Sequence, residues 1–231
     1  METRASIKAQ IQRLREEAIV AAVNRLLASK GYDAMTVDEV AAEAGMAKAS
    51  LYKLFSSKEE LAGAAMVGVL DRALSFVGSL RLQEAAAAQN GTPVPAIEQL
   101  RAVIRWAMQS QLDGEMPSLP AQNSSLSTSL QSNDEYMDRL IALSNRLSIW
   151  IAQAQTGGQL HPDFPPELVL YTLFARACDP VVALLKESGA YTDAQILDWV
   201  TQTTFSGLAK VRPPAPDAGD ESPYQGYSQP G

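Results

Sequence analysis

Few side chains in this sequence are equipped for bond-making chemistry. There is one histidine, His161, beside Pro162, and one cysteine, Cys178. A single imidazole and a single thiol cannot supply the paired nucleophile and base of the common hydrolases, the ligand cluster of a zinc site or an intrachain disulfide. Neither a Gly-rich phosphate loop followed by Lys nor the dinucleotide-binding glycine pattern occurs. The carboxylate pairs Glu16-Glu17 and Glu59-Glu60 are adjacent, so on a helix they point about 100° apart, as on solvated faces. The sequence therefore predicts no enzyme, no catalytic residue, no metal site and no cofactor. Cys178 is expected to be a small buried apolar residue.

The remaining chemistry is that of recognition. Lys48, Ser50, Tyr52 and Lys53 gather cationic and hydroxyl groups within one short segment, and such groups donate to phosphate oxygens and base edges. Leu51 and Phe55 lie one helical turn apart in the same segment. A helix there buries its apolar side and presents its polar side outward.

The preceding residues are suited to hold that helix. Ile19, Ala22, Val23, Leu26 and Leu27 form an apolar stripe that ends at Lys30-Gly31, a helix stop. Thr36 and Glu39 fit a capping box, opening a short helix with Val37, Val40, Ala41 and Ala44 on one face and Gly45 closing it. Small residues where two helices cross, followed by a Gly-containing tight turn, meet the requirements of a helix-turn-helix over 36–55. The following helix, about Lys48 to Phe55, enters the major groove in such motifs. A second capping box, Ser57 to Glu60, starts a long helix that reaches the alanines at 85–88.

From Ile19 to Leu61 the chain resembles the DNA-binding domain of the TetR family of bacterial transcriptional regulators. The resemblance rests on Gly31-Tyr32, Thr36, Val40-Ala41, Ala44-Gly45, Leu51-Tyr52, Phe55, Ser57-Lys58 and Leu61, all in register. Four positions depart from the family pattern. Met46 replaces Val, Ala47 replaces the usual Ser, Ala49 replaces Gly, and Leu54 replaces Tyr or His. Ala47 removes a preferred helix cap, worth about 1 kcal/mol, and Leu54 cannot donate to a phosphate. The resemblance implies phosphate contacts from Thr36, Tyr52 and Lys58, and groove contacts from Lys48, Ala49, Ser50 and Lys53. It also implies a homodimer that reads a palindromic operator in double-stranded DNA. Arg4, Lys8 and Arg15 recur at roughly helical spacing, either as a basic arm along the backbone or as a solvated face.

Charge divides the 231-residue chain unevenly. Acidic and basic residues balance over 1–60, so the whole net charge of −7 lies downstream. Helical periodicity continues there: Ile97, Leu100, Ile104 and Met108; then Tyr136, Leu140, Leu143, Leu147, Trp150 and Ala154. Residues 113–133 are polar and read as a loop around at most one short helix. Ser132 to Glu135 predicts a helix cap, Pro165-Pro166 starts a helix expected to run to about Gly189, and Thr192 to Gln195 caps the last, to about Lys210. No apolar run is long enough to span a bilayer, and no secretory leader is apparent.

The expected fold class is all-α, with roughly eight to ten helices. Residues 1–60 form a three-helix DNA-binding domain, 61–211 a helical domain for effector binding and dimerisation, and 212–231, rich in Pro and Gly, a disordered tail. The expected function is a cytoplasmic, ligand-responsive repressor released from its operator by an unknown small-molecule effector. Met66, Trp106, Met108, Trp150, Phe174 and Arg176 are the candidate effector contacts, with Arg105 or Arg146 available to an acidic ligand; plain packing is the competing reading for each. The alternative function is a helical protein-interaction module with a non-functional helix-turn-helix.

Overall fold

The computed structural model describes residues 4–117 and 124–209, without the side chains of residues 4–6 and 8. The predicted tail at 212–231 lies outside the described residues. Ten helices and no strand occur among those described: α1 (Arg4–Ala34), α2 (Val37–Glu43), α3 (Lys48–Leu51), α4 (Lys58–Gln89), α5 (Ala96–Leu112), α6 (Ser125–Gln131), α7 (Asp134–Thr156), α8 (Pro166–Arg176), α9 (Pro180–Glu187) and α10 (Asp193–Leu208).

Local sequence explains most of the boundaries. Gly31 breaks the helical path near the end of α1 with φ 76° and ψ 174°, a conformation that L side chains avoid. Thr36 caps α2 through the full reciprocal box. At α4 the box is offset by one residue: Ser57 accepts from the Glu60 amide, while Glu60 reaches back to the amide and hydroxyl of Ser56. The cap of α7 is Asn133, which accepts from the Tyr136 amide, one residue later than the sequence predicts. Asn is as good a cap as Ser, and Ser132 instead closes α6. Thr192 and Gln195 form the expected box at α10.

The single helix expected from Pro166 to Gly189 is two helices. Pro180 has no amide to donate and its ring clashes with the carbonyl one turn earlier, so α8 stops at Arg176. Asp179 then restarts the chain by accepting from the Val181 amide at 2.9 Å. Length and composition alone would let Pro166–Glu187 and Lys58–Gln89 cross a membrane. Broken at Pro180, the former contains no helix near the ~20 residues a bilayer needs, and the latter has half its apolar window buried inside the fold.

Two large apolar clusters share α4, with a small one of Val69, Ala107 and Met116 beside them. The first joins Ile19, Val23 and Leu27 of α1, Val40 and Ala41 of α2, Leu51 of α3, and Leu61 through Met66 at the start of α4. Leu126 and Leu130 of α6 complete it. The second packs Ala73, Val77 and Leu80 of α4 against α5, α7, α8, α9 and α10. With 32 residues, α4 is about 48 Å long and links the two clusters mechanically.

Candidate nucleic-acid interface

The turn between α2 and α3 is closed by backbone hydrogen bonds from Gly45 to the Ala42 carbonyl and from Met46 to the Ala41 carbonyl, at 3.1 and 2.9 Å. Gly45 has φ +65°, the left-handed conformation that lets so short a turn form. Helical bonding continues past α3 proper: Tyr52 donates to Lys48 and Phe55 to Leu51, at 3.1 and 2.9 Å. Leu51, fully buried, anchors this rod against α1 and α2. Lys48, Ala49, Ser50, Tyr52 and Lys53 are all exposed along its outer edge. Ala47 makes no side-chain cap, so the rod depends on packing and its turn rather than on a cap.

Much of the positive charge here is already engaged. Carboxylates of α2 hold three cations: Asp38 pairs with Lys48 at 2.9 Å, Glu39 with Lys30 at 2.5 Å, and Glu43 with Arg25 at 2.7 Å. The Lys48 ammonium is raised, first by its hydrogen bond to Asp38. Glu39 is lowered from an ordinary 4.5 to about 2, first by Lys30, then by the Thr36 hydroxyl and amide. Thr36 is exposed, with its hydroxyl donating to Glu39 at 2.9 Å. Lys58 sits with its ammonium 4.3 Å above the Tyr32 ring and 3.4 Å from the Asp33 carbonyl.

Lys53 and Arg15 make no ion pair among the described residues. Both line an open cleft of about 710 Å³ between the N-terminal half of α1 and the helix-turn-helix, with Ser50, Gly45, Gln12 and Leu14 also on its walls. The structure thus brings Ser50, Lys53 and Arg15 to one cleft, and Thr36, Lys48, Ala49 and Tyr52 to the exposed surface beside it. Lys58 turns toward Tyr32 instead. The side chains of Arg4 and Lys8 lie outside the described residues.

A second cavity, of about 290 Å³, opens between α4, α5, α7 and α8. Met66, Trp106 and Phe174 line it, whereas the other three expected contacts do not. Met108 is fully buried in the core. Trp150 is buried with its indole donating to Glu84 at 3.2 Å, and Arg176 pairs with Asp179. Arg105 and Arg146 are also engaged, with Asp198 and the Leu74 carbonyl. Sequence reasoning missed Tyr136 and Cys178 as walls. Tyr136 sits at the first turn of an apolar stripe, where periodicity assigns it to the core.

It also missed the seam between the clusters. The Tyr32 and Ser125 hydroxyls both donate to Glu59 Oε1 at 2.8 Å and lie 3.1 Å from one another. The Glu59 carboxyl is lowered, first by Tyr32 and then by Ser125. Burial is the leading cause of the raised Tyr32 phenol. These residues are 27 to 93 positions apart, so no local spacing could reveal them.

Residues 19–65 match the model of the bacterial regulatory proteins of the tetR family. The chain carries a TetR-family N-terminal domain. Uncharacterised HTH-type transcriptional regulators of Mycobacterium bovis and Mycobacterium tuberculosis are 47% identical to it over 53 residues, 23% of this chain. That match spans 26% of each relative's own length. The TetR-like fold extends much further. The fatty acid degradation regulator FadR from Bacillus halodurans superposes with a TM-score of 0.59 at 18% identity, over 84% of this chain and 96% of its own. The ketosteroid transcriptional regulator KstR2 of Mycobacterium tuberculosis gives 0.58 at 19%, over 85% and 96%. FadR from Bacillus subtilis, solved in complex with stearoyl-CoA, gives 0.56 at 18%, over 83% and 98%. At such identities the likeness concerns the all-helical fold, with its N-terminal helix-turn-helix and C-terminal helical region.

Proposed function

We propose that this TetR-family chain is a bacterial, cytoplasmic transcriptional regulator: a homodimer that represses from a palindromic operator until a small-molecule effector releases it. The observation that carries this reading is the exposed rod from Lys48 to Lys53, anchored by Leu51 and flanked by the Arg15–Lys53 cleft. Lys48, Ala49, Ser50 and Lys53 face the groove, with Lys48 and Ser50 at base edges and Lys53 against the phosphates of the groove rim, while Thr36, Tyr52 and Lys58 meet phosphates outside it. Lys58 reaches a phosphate only by leaving the Tyr32 ring. In this reading residues 1–60 read DNA and 61–211 bind effector and partner, with α4 and α6 belonging mechanically to both.

The dimer face is the exposed side of α8, α9 and α10. Leu168, Tyr171, Val181, Leu184 and Trp199 are all exposed there, and only 28% of the apolar window within 166–187 is buried in the single chain. So many exposed apolar side chains on adjoining helices suit an association site, and a two-fold interface covers them with the same residues of a second copy. Symmetry then sets the two reading rods on half-sites about one helical turn, ~34–36 Å, or a multiple apart. Selection from a random duplex library is expected to enrich an inverted repeat with that spacing. Recovery of no repeat, or of a single half-site, contradicts the reading.

Release needs an effector that binds the DNA-competent and incompetent states unequally. The wall between effector cavity and reading head is thin: Met66 belongs to the N-terminal cluster and also lines the cavity. The Glu59 seam ties α6 to Tyr32 across the same junction. Removing one part-buried hydrogen bond costs about 1 kcal/mol. In Tyr32→Phe, amide hydrogen exchange over Ser125–Gln131 is therefore expected to accelerate about fivefold, with α10 unchanged. Equal exchange in α6 argues against the seam as a mechanical link.

The Lys48–Asp38 pair gives a further expectation. Asp38 sets a negative charge at the reading edge and competes with DNA for the Lys48 ammonium. Asp38→Asn should tighten duplex binding about threefold to tenfold at low salt, read by fluorescence anisotropy, because phosphate contacts dominate affinity. Weaker binding by this variant would mean that Asp38 orients Lys48 rather than withholding it.

A further inference from the structure

We infer that the cavity between α4, α5, α7 and α8 takes an uncharged, largely apolar molecule carrying one hydrogen-bond acceptor of the carbonyl type, with the Tyr136 hydroxyl as its donor. This rests on the effector reading above and narrows it to a chemical class.

Among the described residues no Lys, Arg, His, Asp or Glu lines the cavity, and most of its walls come from Leu, Val, Ile, Ala and Met. Six arginines on the surrounding helices are engaged elsewhere: Arg139 with Asp71, Arg146 with the Leu74 carbonyl, Arg101 with Glu98, Arg105 with Asp198, Arg72 with the Glu115 carbonyl and Arg176 with Asp179; Arg81, also on α4, does not line the cavity. An ionised ligand would leave water with no opposite charge to meet it, and a buried charge without a partner is strongly disfavoured.

Apart from methionine thioethers, the polar side chains that line the cavity among the described residues are the Tyr136 hydroxyl, the Trp106 indole N–H and the Cys178 thiol, each able to donate a hydrogen bond. The Cys178 thiol is turned to the Pro117 carbonyl at 3.4 Å. Trp106 is held by stacking on Phe76, with ring centroids 5.4 Å apart. No described residue hydrogen-bonds the Tyr136 hydroxyl. Burial, and then the neighbouring Cys178, raise this phenol, so it keeps its proton at neutral pH. With the thiol turned to a carbonyl and the indole stacked, the Tyr136 hydroxyl is the polar group offered to a ligand, and a carbonyl oxygen satisfies its O–H.

A cavity of about 290 Å³ lies at the lower end of small-molecule sites, ~300–1,000 Å³, and suits a compact molecule rather than one with a nucleotide headgroup. Met116, buried, and Pro117 form one wall, and Met66 another. A bound molecule therefore touches both the segment leading toward α6 and the N-terminal cluster.

The test uses the full chain without DNA, titrated calorimetrically at pH 7.5 with decan-2-one, decanoate and decylammonium. The ketone is expected to bind at least tenfold more tightly than either ion. Tyr136→Phe should weaken the ketone about fivefold to tenfold, leave the ions unchanged and keep a cooperative thermal transition. Ala107→Phe, which fills the cavity without adding polarity, should abolish ketone binding. Either ion binding as tightly as the ketone, no ketone binding, or an unchanged ketone affinity in Tyr136→Phe overturns the proposal. Operator binding without ketone binding sinks this inference alone. Ketone binding without operator binding sinks the regulator reading and leaves this one standing.

Discussion

Leu184→Glu is expected to turn the protein into a folded monomer that no longer holds a palindromic operator. The side chain is 64% exposed in the single chain, so a carboxylate there leaves the fold untouched. Almost the whole girth of α9 is uncovered, with Val182 its only buried residue among eight, which is unusual for an apolar helix in water. Covering one leucine stabilises by about 1.5–3 kcal/mol, and two-fold symmetry counts each loss twice. With the added penalty of burying an unpaired charge, dimer affinity should fall by about 10³-fold or more. Sedimentation equilibrium measures it, and circular dichroism checks that the helices persist. A variant that stays dimeric at micromolar concentration moves the interface to another face.

Lys53→Ala is expected to produce the largest loss among substitutions at the reading edge. Lys48 must first leave Asp38, and Lys58 must leave Tyr32 and Asp33, whereas Lys53 has no ion pair to break among the described residues. A hydrogen bond to a charged group contributes about 1.5–3 kcal/mol, and a dimer presents two, so affinity should fall by at least about 10²-fold. The loss should be similar for specific and non-specific duplexes, because a phosphate contact positions without selecting. Each released counterion contributes about 0.9 to the salt slope, so the slope should shrink by about 2 for the dimer. A loss confined to one sequence would instead assign Lys53 to a base edge.

The reading head was legible in the sequence because its determinants are local. Thr36 with Glu39, Gly45, and Leu51 with Phe55 act through contacts within a few residues, and the structure shows each where spacing placed it. The corrections come from competition between neighbours. Asn133 outcompeted Ser132 as a cap, and Pro180 cut a stripe whose apolar spacing alone looked continuous. The cavity was half legible. Met66, Trp106 and Phe174 reached it, but Met108 and Trp150 share their helical spacing and face the core, a difference set by how α5 and α7 rotate against α4. Arg176 was lost to Asp179, a partner created by the helix break. The Glu59 seam was not legible at all, since its three members meet only through the tertiary fold.

In the proposed function the edge from Lys48 to Lys53 reads a duplex sequence. The most direct test is equilibrium anisotropy at 0.15 M salt, comparing a selected inverted repeat with a scrambled duplex of the same composition. Specific regulators favour their site by about 10³ or more, and that ratio is the expected result, declining about tenfold or more in Ser50→Ala or Lys48→Ala. A ratio near one, unchanged by those substitutions, would leave the chain as a helical interaction module whose helix-turn-helix no longer reads DNA.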